Sequence, residues 1–137
     1  MTAPFTIVRL DHVVLRTADV ARLVAFYRDV LGCAVEQVQA AFGLTQLRAG
    51  SALIDLVDVA GPLGWAGGPA PGELGRNMDH FCLRIDPWDE AAIAAHLDIH
   101  GVRVTDSGRR YGAEGQGPSI YVADPDGNVV ELKGPSE

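Results

Sequence analysis

Two imidazoles and two carboxylates stand in this sequence where strands would ordinarily be apolar. His12 lies near the head of "LDHVVLR", His80 near the head of "MDHFCLR", Asp55 interrupts "ALIDLV" and Glu131 interrupts "NVVELK". Alternation along a strand sends residues i, i+2 and i+4 to one face. His12 then shares a face with Val14 and Arg16, and His80 with Cys82 and Arg84, while Val13, Leu15, Phe81, Leu83 and Ile85 take the opposite, core side. Asp55 likewise opposes Ile54 and Leu56, and Glu131 opposes Val130 and Leu132. Four such groups directed at one interior make a nitrogen and oxygen site for a borderline or hard divalent ion: Mn, Fe(II), Co, Ni or Zn. The same groups could instead fill a polar, hydrated interior by hydrogen bonding.

The elements that must position them come as a repeat. "DHVVLR" at 11–16 matches "DHFCLR" at 79–84 in four of six positions. After the first comes "DVARLVAFYRDVLG", apolar at three- and four-residue intervals and closed by Gly32, which predicts a helix with a left-handed stop. After the second comes "DPWDEAAIAAHLDIHG", predicted as a helix with Asp86 as N-cap, Pro87 at its first position and Gly101 at its end. "CAVEQV" then answers "VRVTDS", both predicted strands. The first half continues with "FGLTQLRAG" and "SALIDLVDV". The second continues with "GRRYGAEGQG", read as a flexible glycine-rich loop, then "PSIYVAD", a "DPDGN" turn and "NVVELKG". The result is an α+β fold of tandem βαβββ modules. The chain reads as one domain of 137 residues, with module one at about 7–59, a Gly- and Pro-rich linker at about 60–76 and module two at about 77–134.

Composition narrows the function. A formal charge of -7 and a single lysine, Lys133, argue against nucleic-acid partners. No apolar run reaches the roughly 18–20 residues of a membrane span, and "MTAPFTIVRL" has no basic lead, so the chain reads as cytoplasmic with no membrane partner. Cys33 and Cys82 lack CxxC spacing and read as buried thiols. Arg109, Arg110 and Tyr111 are candidates to close over an anionic substrate from the glycine-rich loop, and Tyr121 to line the cavity. His96 and His100 are four apart on the second helix, but "HLDIH" lacks the glutamate of a zinc-protease motif and reads as an exposed face.

"LDHVVLRTADVARLVAFYRDVLG", "MDHFCLRI" and "PSIYVADPDGNVVELKG" together resemble the vicinal oxygen chelate superfamily, over about residues 7–134. That group includes glyoxalase I, methylmalonyl-CoA epimerase, extradiol dioxygenases and bleomycin-binding proteins. The resemblance implies curved mixed sheets with helices outside, as in the halves of a glyoxalase-like barrel. It implies one divalent ion per site, with His12, His80 and Glu131 at ligand positions. Asp55 falls where glyoxalase I carries a glutamate and is one methylene shorter. That leaves direct ligation, ligation through water, or a three-ligand site open. It further implies a homodimer in which His12 and Asp55 of one chain meet His80 and Glu131 of the other.

The implied function is a metal-dependent, glyoxalase I-like lyase or isomerase. It would chelate a small molecule through adjacent oxygens and stabilise an enediolate, with Glu131 as catalytic base. An extradiol-type dioxygenase and a metal-free, drug-binding protein of the bleomycin-resistance kind are the alternatives.

Overall fold

The computed structural model describes residues 6–76 and 78–137. The first five residues, part of the stretch read above for a leader, lie outside the described residues, as does Asn77. Two compact units form, Met1–Ala70 and Pro71–Glu137.

In the first, β1 (His12–Thr17) leads to α1 (Val20–Ala25), a π-helical turn (Phe26–Val30), β2 (Ala34–Gln39), β3 (Leu44–Ala49) and β4 (Ala52–Asp58). The sheet order is β1-β4-β3-β2, with β4 parallel to β1 and antiparallel to β3. The second unit repeats this with β5 (Phe81–Arg84), α2 (Glu90–Ile99), β6 (Asp106–Gly112), β7 (Gly115–Ala123) and β8 (Val129–Lys133). Its order is β5-β8-β7-β6, with β8 parallel to β5 and antiparallel to β7. The α+β architecture of two βαβββ modules is therefore as the repeat predicts.

Local chemistry fixes the helices. The Asp19 carboxylate accepts from Arg22 N–H at the start of α1, and Leu23, Phe26 and Tyr27 form the face it buries. Gly32 follows with a φ of 79°, the left-handed stop. In α2 the expected start is displaced. Asp89, not Asp86, is the cap, its carboxylate accepting from Ala92 N–H at 3.0 Å. Pro87 lies ahead of the helix, in a cis peptide with Asp86. Asp89 offers the same acceptor at the same three-residue spacing, so nothing in the sequence distinguished the two.

The expected glycine-rich loop is a β-hairpin. β6 and β7 pair from Asp106↔Tyr121 to Gly112↔Gly115, and 102–105 is not strand. The glycines had looked like loop punctuation, yet they mark close approach inside strands. A Cβ on Gly112 would lie 2.7 Å from Lys133 Cε, and one on Gly117 would lie 2.3 Å from the Pro135 carbonyl oxygen.

The segment expected as linker is held, over its first half, against the first unit. The Arg16 guanidinium donates to the carbonyls of Gly64 at 2.9 Å and Pro69 at 3.1 Å, and also to that of Gly68. The exposed Trp65 donates its indole N–H to Ala60 O. No helix among the described residues is long and apolar enough to cross a membrane.

β4 and β8 are each an interior strand of their sheet, between two others. Ile54, Leu56 and Val57 are buried on β4, as are Val130 and Leu132 on β8. The polar members of these strands are enclosed with them: Asp55 is 4% exposed and Glu131 6%.

Candidate functional site

Glu131 sits opposite Cys82 on β5 and Tyr121 on β7. Ser119, two residues earlier on β7, shares the Tyr121 face, and its hydroxyl donates to Glu131 Oε2 at 2.6 Å. The Tyr121 hydroxyl donates to Oε1 at 2.9 Å. His80, one residue ahead of β5, brings Nε2 to 3.1 Å from the same Oε1. Burial pushes the Glu131 pKa up, but the hydrogen bonds from Ser119 and Tyr121 and the nearby His80 outweigh it. The carboxyl is held below its ordinary value.

His80 is oriented from behind. Its Nδ1 lies 2.6 Å from Asp79 Oδ2, so Nδ1 carries the proton donated to that carboxylate and Nε2 faces Glu131. The Asp79 hydrogen bond, opposed by partial burial and helped by the Glu131 charge, raises the His80 pKa.

Cys82 departs from the expectation of a buried thiol: only Cys33 is buried. The residue is exposed, but its sulfur is partly covered beside Glu131. That burial first, and the carboxylate second, push the thiol up to about 11, with Lys133 opposing. A thiol so placed stays protonated near neutral pH and is a poor nucleophile.

The first unit carries the counterpart arrangement. Asp55 on β4 is flanked by Val14 on β1 and Gln46 on β3, and Gln46 Nε2 donates to Asp55 Oδ2 at 3.1 Å. Asp55 Oδ1 is buried without a hydrogen-bond partner among the described residues. His12 Nδ1 lies 2.8 Å from Asp11 Oδ2. That contact, against a smaller effect of desolvation and with the Asp55 charge in support, raises the His12 pKa.

These residues suit a divalent ion. Two ligands at about 2.1 Å from one metal and at right angles to each other are about 3 Å apart. The His80 Nε2 to Glu131 Oε1 separation is 3.1 Å. The orphaned Asp55 Oδ1 is a further oxygen that needs a positive partner. Both imidazoles have the carboxylate at Nδ1 that metal-ligating histidines commonly carry. Each unit taken by itself supplies one imidazole and one carboxylate. No group of three or more His, Cys, Asp or Glu able to hold a metal is gathered among the described residues.

A cavity of about 360 Å³ in the second unit is lined by His80, Cys82, Arg84, Tyr111, Glu131 and Lys133, among others. Of the side chains expected to bind substrate, Tyr121 contacts Glu131 directly, and Tyr111, 80% exposed, stands on the cavity wall. Arg109 is turned to the opposite face of β6, with Nη1 3.4 Å from Glu137. Arg110 is the hairpin arginine on the Glu131 face, its Cζ 5.6 Å from the centre of the Tyr121 ring. His96, on α2, and His100, the residue that caps its end, are both exposed, their ring centroids 4.7 Å apart.

Sequence reasoning missed Ser119, Gln46, Asp11 and Asp79 as partners of the four polar groups. The signal for the two aspartates was present in the doubled Asp-His dipeptide.

A profile of the Glyoxalase/Bleomycin resistance protein/Dioxygenase superfamily matches residues 9–132. Mitochondrial methylmalonyl-CoA epimerase of Mus musculus is 30% identical over 135 aligned residues, which cover 91% of this chain and 72% of the mouse protein. An integron cassette protein from the mobile metagenome of V. cholerae is 28% identical, with a TM-score of 0.76 over 95% of this chain and 97% of that one. Lactoylglutathione lyase from Agrobacterium tumefaciens, at 24% identity, shares the fold with a TM-score of 0.67 over 94% and 95% of the two chains. With the repeat, both sheet orders and this profile in agreement, the chain belongs to the Glyoxalase/Bleomycin resistance protein/Dioxygenase superfamily.

Proposed function

We propose that this protein is a metal-dependent lyase or isomerase of the glyoxalase type, acting on a small molecule with adjacent oxygens. The observation that carries this reading is the convergence of His80 Nε2 and Glu131 Oε1, each oriented by further hydrogen bonds, on the wall of a cavity. His12, His80 and Glu131 would hold the ion, with Asp55 as fourth donor. A bound divalent ion of the Ni, Zn, Mn, Co or Fe(II) class would polarise the substrate's neighbouring oxygens and so acidify the adjacent C–H.

Glu131 is the base. Its lowered pKa keeps it ionised at neutral pH but weakly basic, so the role relies on a C–H made acidic by the ion. Ser119 and Tyr121 fix the plane of the carboxylate, so the proton is taken and returned from a defined direction. The mouse relative's name is that of an epimerase, and proton removal followed by return is the chemistry epimerisation requires.

Metal analysis of the purified protein tests this. About one divalent ion per chain is expected, with loss of that ion in H80A. A folded protein that takes up none of Mn, Ni, Zn or Fe(II) overturns the reading and leaves a metal-free binding protein.

We read the protein as a homodimer in which each ion draws ligands from both protomers. Mixing H12A and H80A chains then restores one intact ligand set per heterodimer, and with it metal uptake. Failure of heterodimers to regain metal overturns that arrangement.

A further inference from the structure

The chain's single lysine lies in the wall of the same cavity and forms no ion pair among the described residues. Lys133 is 5% exposed, and its Nζ is buried without a hydrogen-bond partner among the described residues. It is two residues beyond Glu131 on β8 and so on the same face, opposite Arg84 on β5 and Ser119 on β7.

The charged groups beside it on the sheet have hydrogen-bond partners of their own. Arg84 Nε donates to Glu114 Oε1 at 2.7 Å. Glu131 is occupied by Ser119, Tyr121 and His80. An ammonium out of water with no acceptor is destabilising by itself, and a buried cation is ordinarily found paired.

The backbone makes room for this side chain. The stem crosses Gly112, where a Cβ would lie 2.7 Å from Cε, and Nζ ends beside Gly117, where a Cβ would lie 2.9 Å from it. Two glycines on the β6–β7 hairpin thus clear the path of a side chain whose ammonium has no hydrogen-bond partner among the described residues. The residue already lines the cavity, and its four-carbon stem is flexible.

We propose that Lys133 binds an oxyanion of the substrate, a carboxylate or phosphate oxygen, beside the His80 and Glu131 pair. The substrate class is a small organic acid whose anionic group is held by Lys133 while its reacting carbon faces Glu131. This rests on the reading of the cavity as the reaction site. On a chain of net charge -7, which repels anions in general, such a site would depend on this local cation.

Because the chain has one lysine, protein grown with 13C,15N-lysine shows a single side-chain Cε–Nζ signal. That signal is followed as inorganic phosphate and, separately, acetate are added at constant ionic strength set with chloride. A saturable shift with either anion, absent with chloride alone, is expected. The anion that produces it tells phosphate from carboxylate.

The His80 ring resonances give a second reading. Their response to the same anion should weaken at least tenfold in apparent affinity in K133M and persist in K133R, both checked for folding by their amide spectra. No shift beyond the chloride control, or an unchanged response in folded K133M, overturns the proposal.

Metal content measured on the same samples separates the two readings. Metal uptake without an anion shift rejects the lysine site alone. An anion shift in a protein that binds no metal rejects the metal chemistry alone.

Discussion

Asp79 Oδ2 lies 2.6 Å from His80 Nδ1, and Asp11 Oδ2 lies 2.8 Å from His12 Nδ1. Each half of the chain therefore presents an imidazole with one nitrogen engaged and the other turned away from that carboxylate. The doubled dipeptide that looked out of place in a core strand supplies both the imidazole and the carboxylate that orients it.

Asp79→Asn should lower the His80 pKa, read by NMR titration of the ring in metal-free protein. The wild-type value lies above the ordinary 6.5. The stabilisation from this contact is therefore full below pH 6.5 and is lost as pH rises through the folded-state value. Loss of such a carboxylate partner also weakens metal affinity by roughly 10- to 100-fold. A His80 titration curve identical in D79N and wild type would contradict the hydrogen bond.

Ser119→Ala should cost about 1.5–3 kcal/mol, because Glu131 Oε2 loses a donor inside the sheet. The pH dependence has a definite sign. Glu131 titrates below its ordinary 4.5, so its stabilising contribution is present above pH 4.5 and fades as pH falls through the lower folded value. In S119A the folded value rises toward the ordinary one, so the stability lost on acidification becomes smaller than in wild type. Urea midpoints measured between pH 3 and 7 check both.

Asp55→Asn should separate folding from ligation. Removing the charge of a carboxylate with one orphaned oxygen leaves the metal-free protein as stable or about 1 kcal/mol more so. The rise in melting temperature on adding metal should shrink if Asp55 ligates directly. An unchanged metal-induced rise in D55N assigns the site to His12, His80 and Glu131 alone.

Gly117→Ala should destabilise by roughly 1–3 kcal/mol, since its Cβ meets the Pro135 backbone oxygen at 2.3 Å. Gly112→Ala meets only the flexible end of Lys133 and should cost clearly less. Equal losses in denaturant melts would show that the hairpin gives way before either contact is felt.

This hairpin also marks where the sequence stopped being legible. Alternation identified β1, β4, β5 and β8 because each sets a row of Val, Leu, Ile or Phe against a polar row. That contrast also placed His12, Asp55, His80 and Glu131 on the correct strands or at their heads. β6 has no such contrast: "DSGRRYG" is polar and glycine-rich, and it is held by pairing with β7. Misreading it as a loop hid which arginine faces Glu131, since only strand alternation separates Arg110 from Arg109. Ser119 and Gln46 were hidden for another reason. Cross-strand partners depend on register, and register is set by the closed ladder rather than by local composition.

In both units the carboxylate-bearing strand is the last to leave the ribosome yet lies between two strands made earlier. β1 therefore has no ladder partner until β4 arrives, and β5 waits likewise for β8. Each module closes by insertion rather than by adding at an edge, and a half-made module holds an unfilled slot where its acid belongs. Duplicating such a unit copies a device that assembles all at once, which ties the acquisition of the reactive groups to completion of the fold.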